Sequence, residues 1–200
     1  MDRSRSTAWL RGIAATLALL AACAHAPAPP TEPPSPPGEA TGPSEAERSA
    51  LVGTWVYSGG DPELAQVDPA VDRATADMGF LAKGFAAEAL RARAKPRDRY
   101  TLSFEGPTVS VTSPDHPAER GDVGGPAVSV TDRFGDENQT TFRVRDGALV
   151  EAGKSSDGSG ETVFTPGADG QSLQVHRVMR SSRLSAPVDL TFSYRRQTGP

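Results

Sequence analysis

The stretch LVGTWVYSGG, Leu51–Gly60, stands where a long proline-rich run gives way to regular hydrophobic patterning. Just upstream, SEAERSAL offers Ser44 as an N-cap with acidic residues in the first turn, which predicts a short helix. LVGTWVYS itself reads as a strand, rich in β-branched and aromatic side chains. Downstream, a helical insertion is expected over about residues 62–95. Leu64, Val67, Val71, Ala74, Met78, Leu81 and Phe85 recur there at spacings of three and four and predict one apolar face. A break is expected at Asp68-Pro69, because Asp caps and Pro starts a new turn. Gly79 and Gly84 interrupt the segment and leave a kink or a helix-turn-helix as open as one continuous rod, and Pro96 ends it.

After Pro96 the hydrophobic period changes to two. Tyr100, Leu102 and Phe104 alternate with Thr101, Ser103 and Glu105, and the same phase recurs in Val109 with Val111, Val128 with Val130, and Phe142 with Val144. Turn signals such as Asp146-Gly147, Asp157-Gly158 and Asp169-Gly170 separate the runs. With the first strand this makes about nine strands joined mostly by tight hairpins. A meander of that kind escapes exposed edges by closing on itself. The expected fold is therefore mainly β: an antiparallel up-and-down barrel over residues 44–200, with helices between its first and second strands.

The opening residues place Arg3, Arg5 and Arg11 before an apolar run, Gly12 to Ala22, too short to span a bilayer as a mature helix. Residues 1–22 are thus expected to be an export signal. Leu20-Ala21-Ala22-Cys23 resembles the cleavage box of bacterial lipoproteins, which implies that Cys23, the single cysteine, becomes an acylated N-terminus. Two or more acyl chains give lasting attachment to a membrane. Ala24 resembles the residue that outer-membrane-sorted lipoproteins carry after the cysteine. The implied location is the cell envelope, on the outer membrane facing the periplasm or on the cell surface. From Ala24 to Pro43 the chain is Pro-rich and nearly without large apolar side chains, so residues 23–43 read as an acylated, disordered tether. Its reach is at most ~3 Å per residue, roughly 60 Å in all.

Gly53-Thr54-Trp55 on the first strand, preceded by a helical turn and followed by a meander, resembles the calycin superfamily of lipocalins and fatty-acid-binding proteins. The resemblance implies that Trp55 plugs the closed base, that Gly53 permits a close approach, and that Arg196, at the end of the last strand, lies over the Trp55 ring. Helices between the first and second strands resemble the fatty-acid-binding branch. That branch grips a carboxylate with Arg-x-Tyr on its last strand, where this chain has Phe192-Ser193-Tyr194. Arg177 or Arg180 on the neighbouring strand are the available substitutes.

Catalytic and metal chemistry find little support. His116 lies in SPDHPAER, read as a proline-flanked turn, and His176 falls on the wet phase of its strand. Neither has a second His or Cys at ligand spacing, so no metal is expected. No G-x-S-x-G elbow exposes a serine, so no enzyme and no cofactor is expected. The formal net charge of −4 becomes more negative when the signal leaves, since three Arg go with one Asp, and this argues against nucleic acid as a partner.

The expected function is a non-catalytic envelope lipoprotein whose barrel binds a hydrophobic small molecule or lipid. Candidate lining residues are Tyr57, Met78, Leu81, Phe85, Tyr100, Phe104, Phe142 and Tyr194. Each fits core packing equally well, because small barrels can be filled by their own side chains. The alternative is an interaction lipoprotein with a filled barrel that docks another envelope protein. Apart from these, the membrane, through Cys23, is the one partner expected.

Overall fold

The computed structural model describes residues 42–198. The signal, Cys23 and nearly all of the tether lie outside the described residues. Helix α1 (Glu45–Leu51) starts with a reciprocal capping box. Ser44 Oγ accepts from the Glu47 amide at 3.3 Å, and the Glu47 carboxylate accepts from the Ser44 amide at 2.8 Å. Strand β1 (Gly53–Tyr57) follows directly. Then come α2 (Asp61–Leu64), α3 (Val67–Ala74) and α4 (Phe80–Ala94).

Nine more strands complete the chain: β2 (Arg99–Glu105), β3 (Thr108–Ser113), β4 (His116–Asp122), β5 (Val128–Thr131), β6 (Glu137–Arg145), β7 (Ala148–Lys154), β8 (Ser159–Pro166), β9 (Ser172–Arg180) and β10 (Val188–Arg196). They form one ten-stranded sheet in the order β4-β3-β2-β1-β10-β9-β8-β7-β6-β5. Every ladder is antiparallel, so the architecture is a nearly closed up-and-down barrel with a helical insertion after its first strand. Typical of its hairpins is Asp146-Gly147, where both residues have positive φ, 52° and 75°, as a tight turn matched to strand twist requires.

The seam falls between β4 and β5, the two ends of the sheet. A single parallel bridge, Val123 to Phe142, crosses it, and the Gly124 amide donates to the Phe142 carbonyl at 2.8 Å. Gly121 packs flat against the Phe142 ring, where a Cβ would come within 2.9 Å of the ring. Side-chain contact thus closes what hydrogen bonds do not.

The strand absent from the sequence reading is β4, HPAERGD, which lacks apolar alternation because it borders this seam. Pro117 is tolerated because β4 is an edge strand. The helices also differ from expectation. The break expected near Asp68-Pro69 falls at Ala65-Gln66, between α2 and α3, so that Asp68-Pro69 lies in the first turn of α3, which accepts Pro without losing a hydrogen bond, and a second interruption comes at residues 75–79.

The insertion has a structural task. β1 pairs with β10 only from Tyr194 to Arg196, leaving part of the β10 edge bare. Helix side chains fill that edge. Gln66 accepts from the Thr191 amide at 3.3 Å and donates to the Thr191 carbonyl at 2.6 Å. The Glu63 carboxylate accepts from the Ser193 amide at 2.8 Å and the Ser193 hydroxyl at 2.6 Å. A covered edge cannot recruit a foreign strand. Val67, Ala70, Val71 and Ala74 of α3 are buried beneath this cover.

Candidate functional site

Cross-strand register divides the barrel interior into levels. At the base level Leu149, Phe164, Val175 and Phe192 lie side by side, all fully buried. Tyr100 packs edge-on to Phe164 at 5.0 Å and to Tyr194 at 5.2 Å between centroids, a favoured aromatic geometry. Trp55 is fully buried, and its Nε1–H donates to the Leu51 carbonyl at 2.9 Å. Arg196 lies over the indole with its guanidinium carbon 4.3 Å from the ring centroid. The same guanidinium donates to the carbonyls of Ala50 (2.8 Å), Val52 and Gly170 (2.8 Å), tying α1, the start of β1 and the β8–β9 turn together. Gly53 has φ 142°, and a Cβ there would sit 2.8 Å from Arg196 Nη1, which explains the glycine before Thr-Trp.

One level up, the character changes. Phe142, Glu151, Thr162, Arg177 and Leu190 are cross-strand neighbours in sequence around the wall. Above them come Thr140, Gly153, Gly160 and Met179, where two glycines leave space. That space continues into a cavity of about 440 Å³ between α4 and the barrel mouth. Met78, Ala86, Ala89, Leu90, Met179 and Leu184 line one side, and Arg93, Arg97, His116 and Arg177 another. A second cavity of about 190 Å³ shares Arg93, Arg97, His116 and Arg177.

The C-terminal half of α4 is latched over this space. Arg93 pairs with Asp136 at 2.5 Å, Arg133 donates to the Ala92 carbonyl at 2.8 Å, and the Phe134 ring is flanked by both guanidiniums at 4.0 and 4.7 Å. Arg91 ties α4 to Asp68 and Asp72 on α3.

Within the polar wall, Arg97 is held from several sides. The Tyr194 hydroxyl donates to the Arg97 carbonyl at 3.0 Å, and the guanidinium lies 5.2 Å from the Tyr100 ring centroid. Arg97 Nη2 pairs with Glu119 at 3.4 Å, both side chains nearly buried at 12% and 13% exposure. Its Nε and Nη1 are buried with no partner among the described residues. Burial, followed by the charge of Glu119 and a hydrogen bond to it, pushes the Glu151 carboxyl well above its ordinary range, while Arg97 and Arg177 pull the other way. Glu151 lies on the inward phase of β7, level with Phe142 on β6 and with Thr162 on β8. Burial also lowers His116 to about 4, with Arg97, Arg133 and Arg177 adding to the effect. The Tyr194 phenol is raised chiefly by burial.

The eight expected lining residues separate into three groups. Met78 borders the cavity. Tyr100, Phe142 and Tyr194 are fully buried core, while Tyr57 and Phe104 are half-buried and packed against that core. Leu81 and Phe85 point outward, 74% and 76% exposed, beside Phe80 at 91%. This corrects the apolar face expected through Phe85. The break at residues 75–79 rotates α4 relative to α3, and the inward face of α4 is the small-residue one, with Ala87 and Ala94 buried and Leu90 packed on the core.

The sequence reading missed Arg97, Glu119 and Glu151 and took His116 for a turn. A signal existed for Glu151, which shares the inward phase of Leu149 in ALVEAG. Arg97 and Glu119 gave none, because neither falls in an alternating run. Arg177 borders the cavity, and Arg180 lies at its more exposed rim.

No family model matches the chain, and no curated protein matches its sequence. Its fold is similar to that of the apo lipid binding protein 8 of Caenorhabditis elegans, with TM-score 0.50 and 11% identity over 77% of this chain and 98% of that one. A secretory abundant heat soluble protein of Ramazzottius varieornatus gives 0.48 and 10% over 74% and 96%. A fatty-acid-binding protein from Drosophila melanogaster brain gives 0.46 and 12% over 72% and 98%. At these identities the likeness shows the fold alone: an antiparallel up-and-down β-barrel.

Proposed function

We propose that this chain is an acyl-anchored lipoprotein of the cell envelope whose barrel holds an amphiphilic small molecule without chemistry on it. The cavity under α4 carries this reading. Its volume, about 440 Å³, falls within the range of small-molecule sites, and it joins the apolar side chains of Met78, Leu90, Met179 and Leu184 to a wall rich in arginine and aspartate. An apolar tail gains ~25 cal/mol per Å² removed from water, before ordering costs. That neighbours of this fold include a lipid binding protein supports the same reading at the level of architecture. The anchor and the outer-membrane location rest on Leu20-Ala21-Ala22-Cys23 and on Ala24. Residues 1–22 would be the signal, residues 23–43 the tether, and residues 44–200 the barrel.

The test is mass spectrometry of small molecules that co-purify with the full chain from its envelope fraction. A recurrent amphiphile near one-to-one ratio is the expected result, and an empty extract defeats the reading. For the anchor, Cys23→Ser should move the protein out of the membrane fraction, and continued sedimentation with washed membranes would count against acylation. One observation favours docking of another envelope protein instead: Phe80, Leu81 and Phe85 form an outward apolar patch on α4. Cross-linking from that patch to a single partner, together with an empty cavity, would select this second reading.

A further inference from the structure

We propose that the smaller cavity at the barrel mouth is an oxyanion seat, in which Arg97, Arg177 and His116 hold the phosphate headgroup of an amphiphile whose chain lies in the larger cavity. This rests on the ligand-binding function above and names the headgroup chemistry.

Strand order brings the three side chains in from different sides. β4 and β9 stand five places apart in the order of a ten-stranded sheet, so closing the barrel sets them on opposite walls. His116 on β4 and Arg177 on β9 nevertheless border the same space of about 190 Å³, and Arg97 enters it from the segment between α4 and β2. All three also border the larger cavity. A chain lying against Leu90 and Met179 there brings its polar end to these residues.

Charge in the smaller cavity is one-sided. Arg93, Lys95, Arg97, Arg133 and Arg177 line it against Asp98 and Asp115. Two carboxylates outside the lining take a share, Asp136 on Arg93 and Glu119 on Arg97. Lys95, Arg133 and Arg177 make no ion pair among the described residues, and the two arginines donate instead to the carbonyls of Ala92 (2.8 Å) and Lys95 (3.2 Å). Like charges gathered from separate segments repel one another, and an anion between them removes that cost. His116 reports the same field: burial, then Arg97, Arg133 and Arg177, hold its ring neutral down to about pH 4 despite Asp115.

Unmet polar groups point to the same ligand. Arg97 Nε and Nη1 and His116 Nδ1 are buried without a partner among the described residues. A buried guanidinium N–H left unpaired is costly. A carboxylate has two oxygens in one plane. A phosphate monoester has three acceptor oxygens and nearly two negative charges, which suits donors arriving from opposite walls.

Calorimetric titration at pH 7 of the full chain carrying Cys23→Ser, with dodecyl phosphate, laurate, dodecanol and inorganic phosphate, tests this. Dodecyl phosphate should bind at least about 10-fold more tightly than laurate or dodecanol. Arg177→Gln should cut its preference over dodecanol about 10-fold, and His116→Gln, on the opposite wall, should act in the same direction, so either variant serves if the other fails to fold. Laurate binding as tightly as dodecyl phosphate, or an unaltered preference in the folded variants, overturns the seat and leaves ligand binding standing. Inorganic phosphate binding as tightly as dodecyl phosphate overturns the lipid source, the seat then belonging to the free ion. Dodecyl phosphate and dodecanol both failing to bind overturns the ligand-binding function as well.

Discussion

The base and the mouth of this barrel are built from the same ten strands and follow opposite rules. At the base, cross-strand neighbours are aromatic and aliphatic, fully buried, and in edge-to-face contact. At the mouth, neighbours on the same strands are Glu151, Arg177, glycines and Met179, and the interior opens under α4. Two residues along a strand separate the regimes, because inward positions recur with period two. The barrel is therefore neither filled nor hollow throughout: its packed half supplies stability, and its open half has the unsatisfied groups that a ligand would need.

Phe164→Ala should break the base most severely, since a fully buried aromatic removed from a rigid core costs ~3–5 kcal/mol. Denaturant unfolding measures this, and a loss under 1 kcal/mol would mean that the base is not the stabilising half. Arg196→Ala should follow at about 2 kcal/mol, because three carbonyls at the base lose their donor. Arg196→Lys, which keeps charge but not the fork, should recover only part of it.

At the mouth the signature is pH dependence. Glu151 has a folded pKa raised above its ordinary 4.5, so the folded protein holds the extra proton and stability declines as pH rises from about 4.5 through the folded value. Glu151→Gln should flatten that decline, and an unchanged profile would count against a protonated Glu151. His116 acts at the other end. Its pKa is lowered to about 4, so stability is full above about 6.5 and is lost as pH falls toward 4, a loss that His116→Gln should diminish. The smallest effect belongs to the outward patch, where Leu81→Ser should change stability by no more than about 0.5 kcal/mol. A larger loss would mean that α4 packs with its other face inward.

Much of the architecture was legible because it rests on local, periodic signals. The alternation of Tyr100, Leu102 and Phe104, the Asp-Gly turns, and Ser44 three residues before Glu47 each fix a short-range geometry that the chain then obeys. β4 escaped because an edge strand beside an open seam has no need of apolar alternation. The orientation of α4 escaped because Ala-rich helices carry weak amphipathicity, and neighbouring Phe80, Leu81 and Phe85 give no hint of which side the barrel takes.

By itself the sequence determined a β meander, its helical insertion and the aromatic stock of the core, since hydrophobic period and turn chemistry act over a few residues. Only the tertiary structure decided that Arg97, Glu119, Glu151 and Arg177 meet. They come from four separate segments, and their convergence depends on strand register and barrel closure, which no local pattern encodes.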